Sequence, residues 1–247
     1  MRHKVIKTLL FSLGLISAGL CYAEDASIKL PSYISTSKTL KVMTPDKALK
    51  KLMDGNKRFM NNKSTNRNLL KQAKVTSKKG QFPASVILSC MDSRGTPELI
   101  FDQGLGDIFT VRLAGNVVDK DQLGGMEFAT KLVGTKLIVV LGHTQCGAVA
   151  GACAGAELGN LTQLLDKIQP AVTTYKKNNG GKADCNDYSV VDQIARQNVV
   201  DMIKEVTKDS PVIAKLVKDG QVKIVGAMHD LRTGKVVFFD AEGKDIS

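Results

Sequence analysis

The stretch "KLIVVLGHTQCGAVAGACAG", residues 136–155, holds the clearest strand in the chain, then a turn, then small residues suited to a tightly packed helix. A second stretch, "SVILSCMDSRGTPELIF" at residues 85–101, has the same shape, with an apolar run, a polar turn and a Thr-Pro helix start. Its "ASVILS" is short and continuously apolar, as strands buried on both faces are. Strands that each feed a helix predict an α/β fold around a mainly parallel sheet. In such sheets, sites form at the carboxyl ends of the strands. These two strands run into Cys90, and into His143 and Cys146.

The rest of the chain extends the pattern. "TPDKALKKLMDGNKRFMNN" predicts a helix with Thr44 as N-cap and Pro45 at its first position, and "QAKVTSKKGQFP" reads as a polar connection. "DIFTVR" is strand-like and "GGMEFATKLVG" helix-like. "NLTQLLDKIQPAVTTYKK" and "VVDQIARQNVVDMIKEV" read as amphipathic helices around a polar insert, "NNGGKADCNDY". "VKIVGAMHDLRTGKVVFFD" predicts two strands joined by a turn at Thr233-Gly234. No repeat or internal boundary interrupts residues 44–247, which read as one domain, with an extended arm over 24–43 before it.

Residues 1–23 read as a signal peptide. "MRHKVIK" is a basic leader, "TLLFSLGLISAGL" an apolar core too short to span a bilayer comfortably, and "CYA" places the cut after Ala23. The expectation is an exported, periplasmic protein without stable membrane insertion after cleavage. The formal charge of +11 loses the three positive charges of Arg2, Lys4 and Lys7 with the leader. The remaining lysines are scattered rather than clustered with arginine or aromatic residues, which argues against nucleic acid as a partner. An anionic small substrate fits the positive excess.

Four cysteines remain after export: Cys90, Cys146, Cys153 and Cys185. An oxidising compartment favours disulfides, so a non-catalytic, disulfide-bonded binding module with Cys90 joined to Cys146 is one reading. The other is a metal site. Cysteine and histidine are zinc ligands, and in H-x-x-C one turn aims both side chains at a point. Cys90, 53 residues before His143, joins them only if its strand runs parallel and close, and neighbouring strands lie about 4.8 Å apart. Taken singly, a cysteine after a strand is a small buried hydrophobe, and Asp92 with Arg94 an ordinary ion pair. Together at two strand ends they suggest three zinc ligands with an open fourth position, the catalytic pattern. Two thiolates weaken zinc as a Lewis acid, so its water needs help to ionise. Asp92, held ionised by Arg94, is placed to orient zinc-bound hydroxide.

These residues resemble the β-class carbonic anhydrases, in the plant-like subgroup and an exported bacterial form. The family motif C-x-D-x-R, followed some fifty residues later by H-x-x-C, stands here as "CMDSR" and "GHTQCGAV". The similarity continues through "DQGLGDIFTVRLAGN", "GGMEFA" and "VGAMHDLRTGKVVFF". It implies one Zn2+ per chain on Cys90, His143 and Cys146, with Asp92 and Arg94 catalytic and Asp92 a fourth ligand in a closed state. It implies a lyase activity, the reversible hydration of carbon dioxide to bicarbonate and a proton. It also implies a parallel sheet extended by an antiparallel edge strand, in a homodimer or tetramer whose N-terminal arm or helix packs on the partner. Gln81 matches a glutamine that donates to substrate across the dimer interface, and Phe109, Ala114 and Phe128 match the pocket wall. Phe128 stands where several relatives have a tyrosine. A related zinc hydrolase acting on carbon disulfide or carbonyl sulfide is the alternative within the same fold. For Cys153 and Cys185 the preferred reading is a buried thiol and an unpaired one, with a bridge between them as the alternative.

Overall fold

The computed structural model describes residues 34–246. The expected signal peptide and the first part of the arm lie outside the described residues. Helix α1 (Ser37–Lys41) falls within the segment expected to be extended. A reciprocal cap explains it, because Thr36 accepts the Thr39 amide while the Thr39 hydroxyl oxygen accepts the Thr36 amide. Helix α2 (Pro45–Met60) starts as expected, with the Thr44 hydroxyl accepting from the Lys47 amide. Helix α3 (Leu69–Lys79) corrects the expected polar connection. Its buried positions are Gln72 and Val75, and a glutamine on the inner face hides the apolar period.

Strand β1 (Ser85–Ser89) leads through Cys90 to helix α4 (Pro97–Ile100). Strand β2 (Ile108–Arg112) is followed by a 3₁₀ turn, Ala114–Asn116. Helix α5 (Lys120–Glu127) widens into a π-helical turn over Phe128–Val133. Strand β3 (Leu137–His143) feeds helix α6 (Gly147–Ala154). The helix expected over 160–177 is two, α7 (Gly159–Asp166) and α8 (Gln169–Asn178). Pro170 cannot donate into a continuing ladder and fits only the first turn of a new helix. Helix α9 (Tyr188–Asp209), helix α10 (Pro211–Lys218), strand β4 (Lys223–His229) and strand β5 (Val236–Phe239) complete the order.

The described strands form one sheet in the order β2-β1-β3-β4-β5. All pairings are parallel except β4 with β5, which makes an antiparallel edge. Alternate residues feed two cores. Val86, Leu88, Ile138 and Val140 face the layer that contains α9, whereas Ile87, Leu137, Val139 and Leu141 face α2 and α4. Burial on both sides is why β1 and β3 read as unbroken apolar runs. Helix α2 approaches the end of α4 so closely that a Cβ on Gly55 would come 1.8 Å from the Phe101 carbonyl oxygen. Below α4, the buried Asp102 carboxylate accepts from Arg58, Arg67 and Thr65, which ties the 61–68 segment to the body.

Among the described residues, no helix is long and apolar enough to cross a membrane.

Candidate metal centre

Cys90 follows the last residue of β1, and His143 is the last residue of β3. The register pairs Ser89 with Leu141, so both side chains leave the sheet at the same end. Thr144 and Gln145 make a sharp turn, and the chain then enters α6 with Cys146 as its N-cap. One ligand atom from each of Cys90, His143 and Cys146 lies within 4.8 Å of the others. All three residues are buried, at 7%, 4% and 2% exposure.

Each donor is prepared for a cation. His143 Nδ1 lies 2.9 Å from the Thr144 carbonyl oxygen. A carbonyl only accepts, so Nδ1 carries the proton and Nε2 presents its lone pair. That Nε2 is buried with no hydrogen-bond partner among the described residues. The Gly115 amide donates to Cys90 Sγ at 3.4 Å, and the amides of Ala148 and Val149 face Cys146 at the start of α6. The hydrogen bond from Cys146 holds the Cys90 thiol well below the ordinary thiol range, against burial. The same contact, with burial, pushes Cys146 up. The pair therefore accepts one negative charge readily and resists a second until a cation compensates it. Two thiols and an oriented imidazole are a donor set that fits zinc. Cys90 and Cys146 are free and not joined to each other, which removes the disulfide reading of this corner.

Asp92 and Arg94 stand at the rim. Arg94 Nη2 donates to Asp92 Oδ2 at 2.7 Å, Arg94 Nε to Oδ1 at 3.0 Å, and the Arg94 amide to Oδ1 at 2.9 Å. Arg94 is the chief cause that holds the Asp92 carboxyl down to about 2. Asp92 Oδ2 lies 4.0 Å from His143 Nε2, so the carboxylate overlooks the three donors. Ala114 directly precedes Gly115 in the 3₁₀ turn. Phe109 and Phe128 meet edge to face at 6.1 Å, and Phe109 pairs with Val86 near the start of β1. Gln81 is exposed ahead of β1, whereas the donors stand beyond its far end. Five residues of strand, roughly 16 Å, separate the two ends.

Three contributions had no sequence signal, and a fourth was the less favoured of two readings. Arg112, at the end of β2, donates to the Cys90 carbonyl at 3.1 Å and the Asp92 carbonyl at 2.6 Å. A single arginine ending a strand points to no partner 20 residues upstream. Asp192, in the first turns of α9, accepts the Gln145 amide at 2.6 Å. His229 lies beside His143 in the β3–β4 register, and burial, then the neighbouring His143, push its pKa down to about 4. Last, Cys153 and Cys185 are bonded, with Cα atoms 5.6 Å apart. This corrects the preferred reading of two free thiols: the insert folds back onto the end of α6.

Comparisons with known proteins show what the chain is similar to. A family model described as carbonic anhydrase matches residues 85–236. The chain is 34% identical over 204 residues to a Mycobacterium tuberculosis protein named carbonic anhydrase 2, covering 81% of this chain and 95% of that one. It is 32% identical over 197 residues to a carbonic anhydrase of Mycolicibacterium smegmatis, covering 78% and 92%. A solved β-carbonic anhydrase of Aspergillus fumigatus superposes with a TM-score of 0.61 at 26% identity, over 70% of this chain and 88% of that one. One from Sordaria macrospora, described as tetrameric, gives 0.61 at 24% identity, over 73% and 95%, a likeness of fold.

Proposed function

Because this chain belongs to the β-class carbonic anhydrases, we propose that it hydrates carbon dioxide reversibly to bicarbonate and a proton, with one zinc ion held by Cys90, His143 and Cys146. The observation that carries the metal assignment is the buried, unpartnered Nε2 of His143 facing two free thiols. Zinc in that position supplies a Lewis acid that makes water nucleophilic near neutral pH.

The protein's own groups do the rest. Asp92 accepts a hydrogen bond at Oδ2 from the attacking oxygen and so turns its lone pair toward the carbon. Arg94 keeps that carboxylate ionised and aimed, and Arg112 fixes the backbone from which both Cys90 and Asp92 project. Attack forms the new C–O bond, the carbon–oxygen π pair moves onto oxygen, and the water's proton passes to solvent. Ala114 lies beside the donors on the apolar side of the pocket. Phe109 and Phe128 extend that wall toward the sheet edge. Gln81 precedes β1 and so stands beyond the opposite end of that strand from the donors, which supports donation to substrate by Gln81 of the partner subunit.

Two features support a homodimer or higher assembly. Among the described residues, strand β2 ends the sheet without a further strand beside it, Phe128 is exposed against Phe109 of that strand, and Leu132, in the same π-helical turn as Phe128, is 75% exposed. The described part of the arm, helix α1 ahead of the enzyme domain over 44–247, is the element proposed to pack on that partner. Export past a signal peptide at 1–23 is supported by the Cys153–Cys185 bridge, which belongs to an oxidising compartment such as the periplasm.

The test is Cys90→Ser. Zinc content and stopped-flow hydration should both be lost, and a chelator should abolish the parent's activity. Near-stoichiometric zinc retained in the variant would overturn the ligand assignment.

A further inference from the structure

The turn between His143 and Cys146 is held in an unfavourable backbone conformation. Gln145 has φ of +55°, a region that side chains other than glycine rarely adopt. Such a conformation persists only where the surroundings impose it. The Thr144 amide donates to the His229 carbonyl at 3.0 Å and the Leu231 amide to Thr144 Oγ1 at 3.1 Å, and the contact on Gln145 itself comes from α9. Asp192 Oδ1 accepts the Gln145 amide hydrogen at 2.6 Å, across 47 residues of sequence. We infer that Asp192 is a positioning residue for the metal centre, fixing the turn so that His143 and Cys146 converge.

The placement of Asp192 is itself fixed at two points. Helix α9 begins just after Cys185, which is bonded to Cys153 at the far end of α6, and Asp187 caps its first turn. Cys146 begins α6 and Cys153 lies near its end, so a closed circuit runs from Cys146 along α6, across the bridge into α9, through Asp192 and back to Gln145. Every link is a covalent bond, a helix or this one hydrogen bond. Asp192 also lies near Asp230, Arg232 and His143, so its charge and its hydrogen bond have to be separated by experiment. Outer partners that orient metal ligands typically change metal affinity ten- to a hundredfold when removed.

The inference rests on the zinc reading, and the parent's zinc stoichiometry tests that reading first. Given a zinc-loaded parent, Asp192→Ala should weaken zinc affinity, by chelator competition, by about tenfold or more. It should also shift the visible absorption of the cobalt-substituted protein, which reports ligand geometry directly. Asp192→Asn keeps an accepting oxygen without the charge and should restore most of the affinity and the parental spectrum. Adding Gln145→Gly to Asp192→Ala should recover part of the loss, because glycine adopts positive φ without strain. Parental affinity and spectrum in Asp192→Ala would overturn the role while leaving the zinc site intact. So would equal losses in the Ala and Asn variants. If Asp192→Ala does not fold, hydrogen exchange on the parent decides: the Gln145 amide should be strongly protected, and free exchange there overturns the inference.

Discussion

Asp92 receives three hydrogen bonds from one residue, all from Arg94. An asparagine in its place can still accept from the Arg94 amide and Nε, but its amide nitrogen would then face Arg94 Nη2, donor against donor. The carboxylate's negative charge and its second accepting oxygen vanish together, while Cys90, His143 and Cys146 are untouched. Asp92→Asn should therefore keep zinc and fold while hydration slows by roughly 10²-fold. A variant as fast as the parent in stopped-flow hydration would make Asp92 a structural residue. Arg112 acts differently, because it grips backbone carbonyls and not the reacting groups. Its role could not be seen from "DIFTVR", where nothing local distinguishes it from an arginine facing solvent.

Among elements, the decisive pair is β1 and β3. Parallel pairing brings Cys90 and His143 to one end of the sheet, and α6 then starts at the third donor. The polar insert between α8 and α9 carries Cys185, for which an unpaired thiol is the preferred expectation and a bridge the alternative. The bridge from Cys185 to Cys153 makes it a strap on the helix that begins with Cys146. The bridge spans 32 residues, and a loop of that size corresponds to roughly 3–4 kcal/mol of chain entropy removed from the unfolded state. The double variant Cys153→Ser, Cys185→Ser should unfold at clearly lower urea concentration than the oxidised parent. Midpoints that coincide would show that the bridge constrains nothing the rest of the fold does not already hold.

Across the whole molecule, the Asp102 network joins α2, the 61–68 segment and α4. Burial is the largest influence on its carboxyl and raises its pKa, but hydrogen bonds from Arg67, Arg58 and Thr65 outweigh it and bring the value to about 2. The folded value lies below the unfolded one of about 4. The ionised pair thus contributes fully above about pH 4 and is lost as pH falls toward 2. Asp102→Asn leaves Arg67 buried without its counter-ion, which should cost about 3 kcal/mol at neutral pH. Urea unfolding should show the gap between parent and variant closing between pH 4 and 2. A gap independent of pH would mean that the charge contributes nothing.

The two strand–turn–helix units, the alternation that makes the sheet parallel, and the three donors at strand ends were all readable from residues 84–155 alone. Apolar periodicity, capping residues and ligand spacing are local properties, and a linear chain displays them directly. Helix α3 escaped because its inner face carries Gln72, and the split at Pro170 because the apolar pattern runs on across it. Helix α10 went unread, though Ser210 caps it and Pro211 opens it. The Arg112 clamp, the Asp192 contact and the Cys153–Cys185 bridge join residues 20 to 47 apart that no local rule connects. Packing alone brings such partners within reach, since the distance between two side chains in a folded chain depends on every element between and around them.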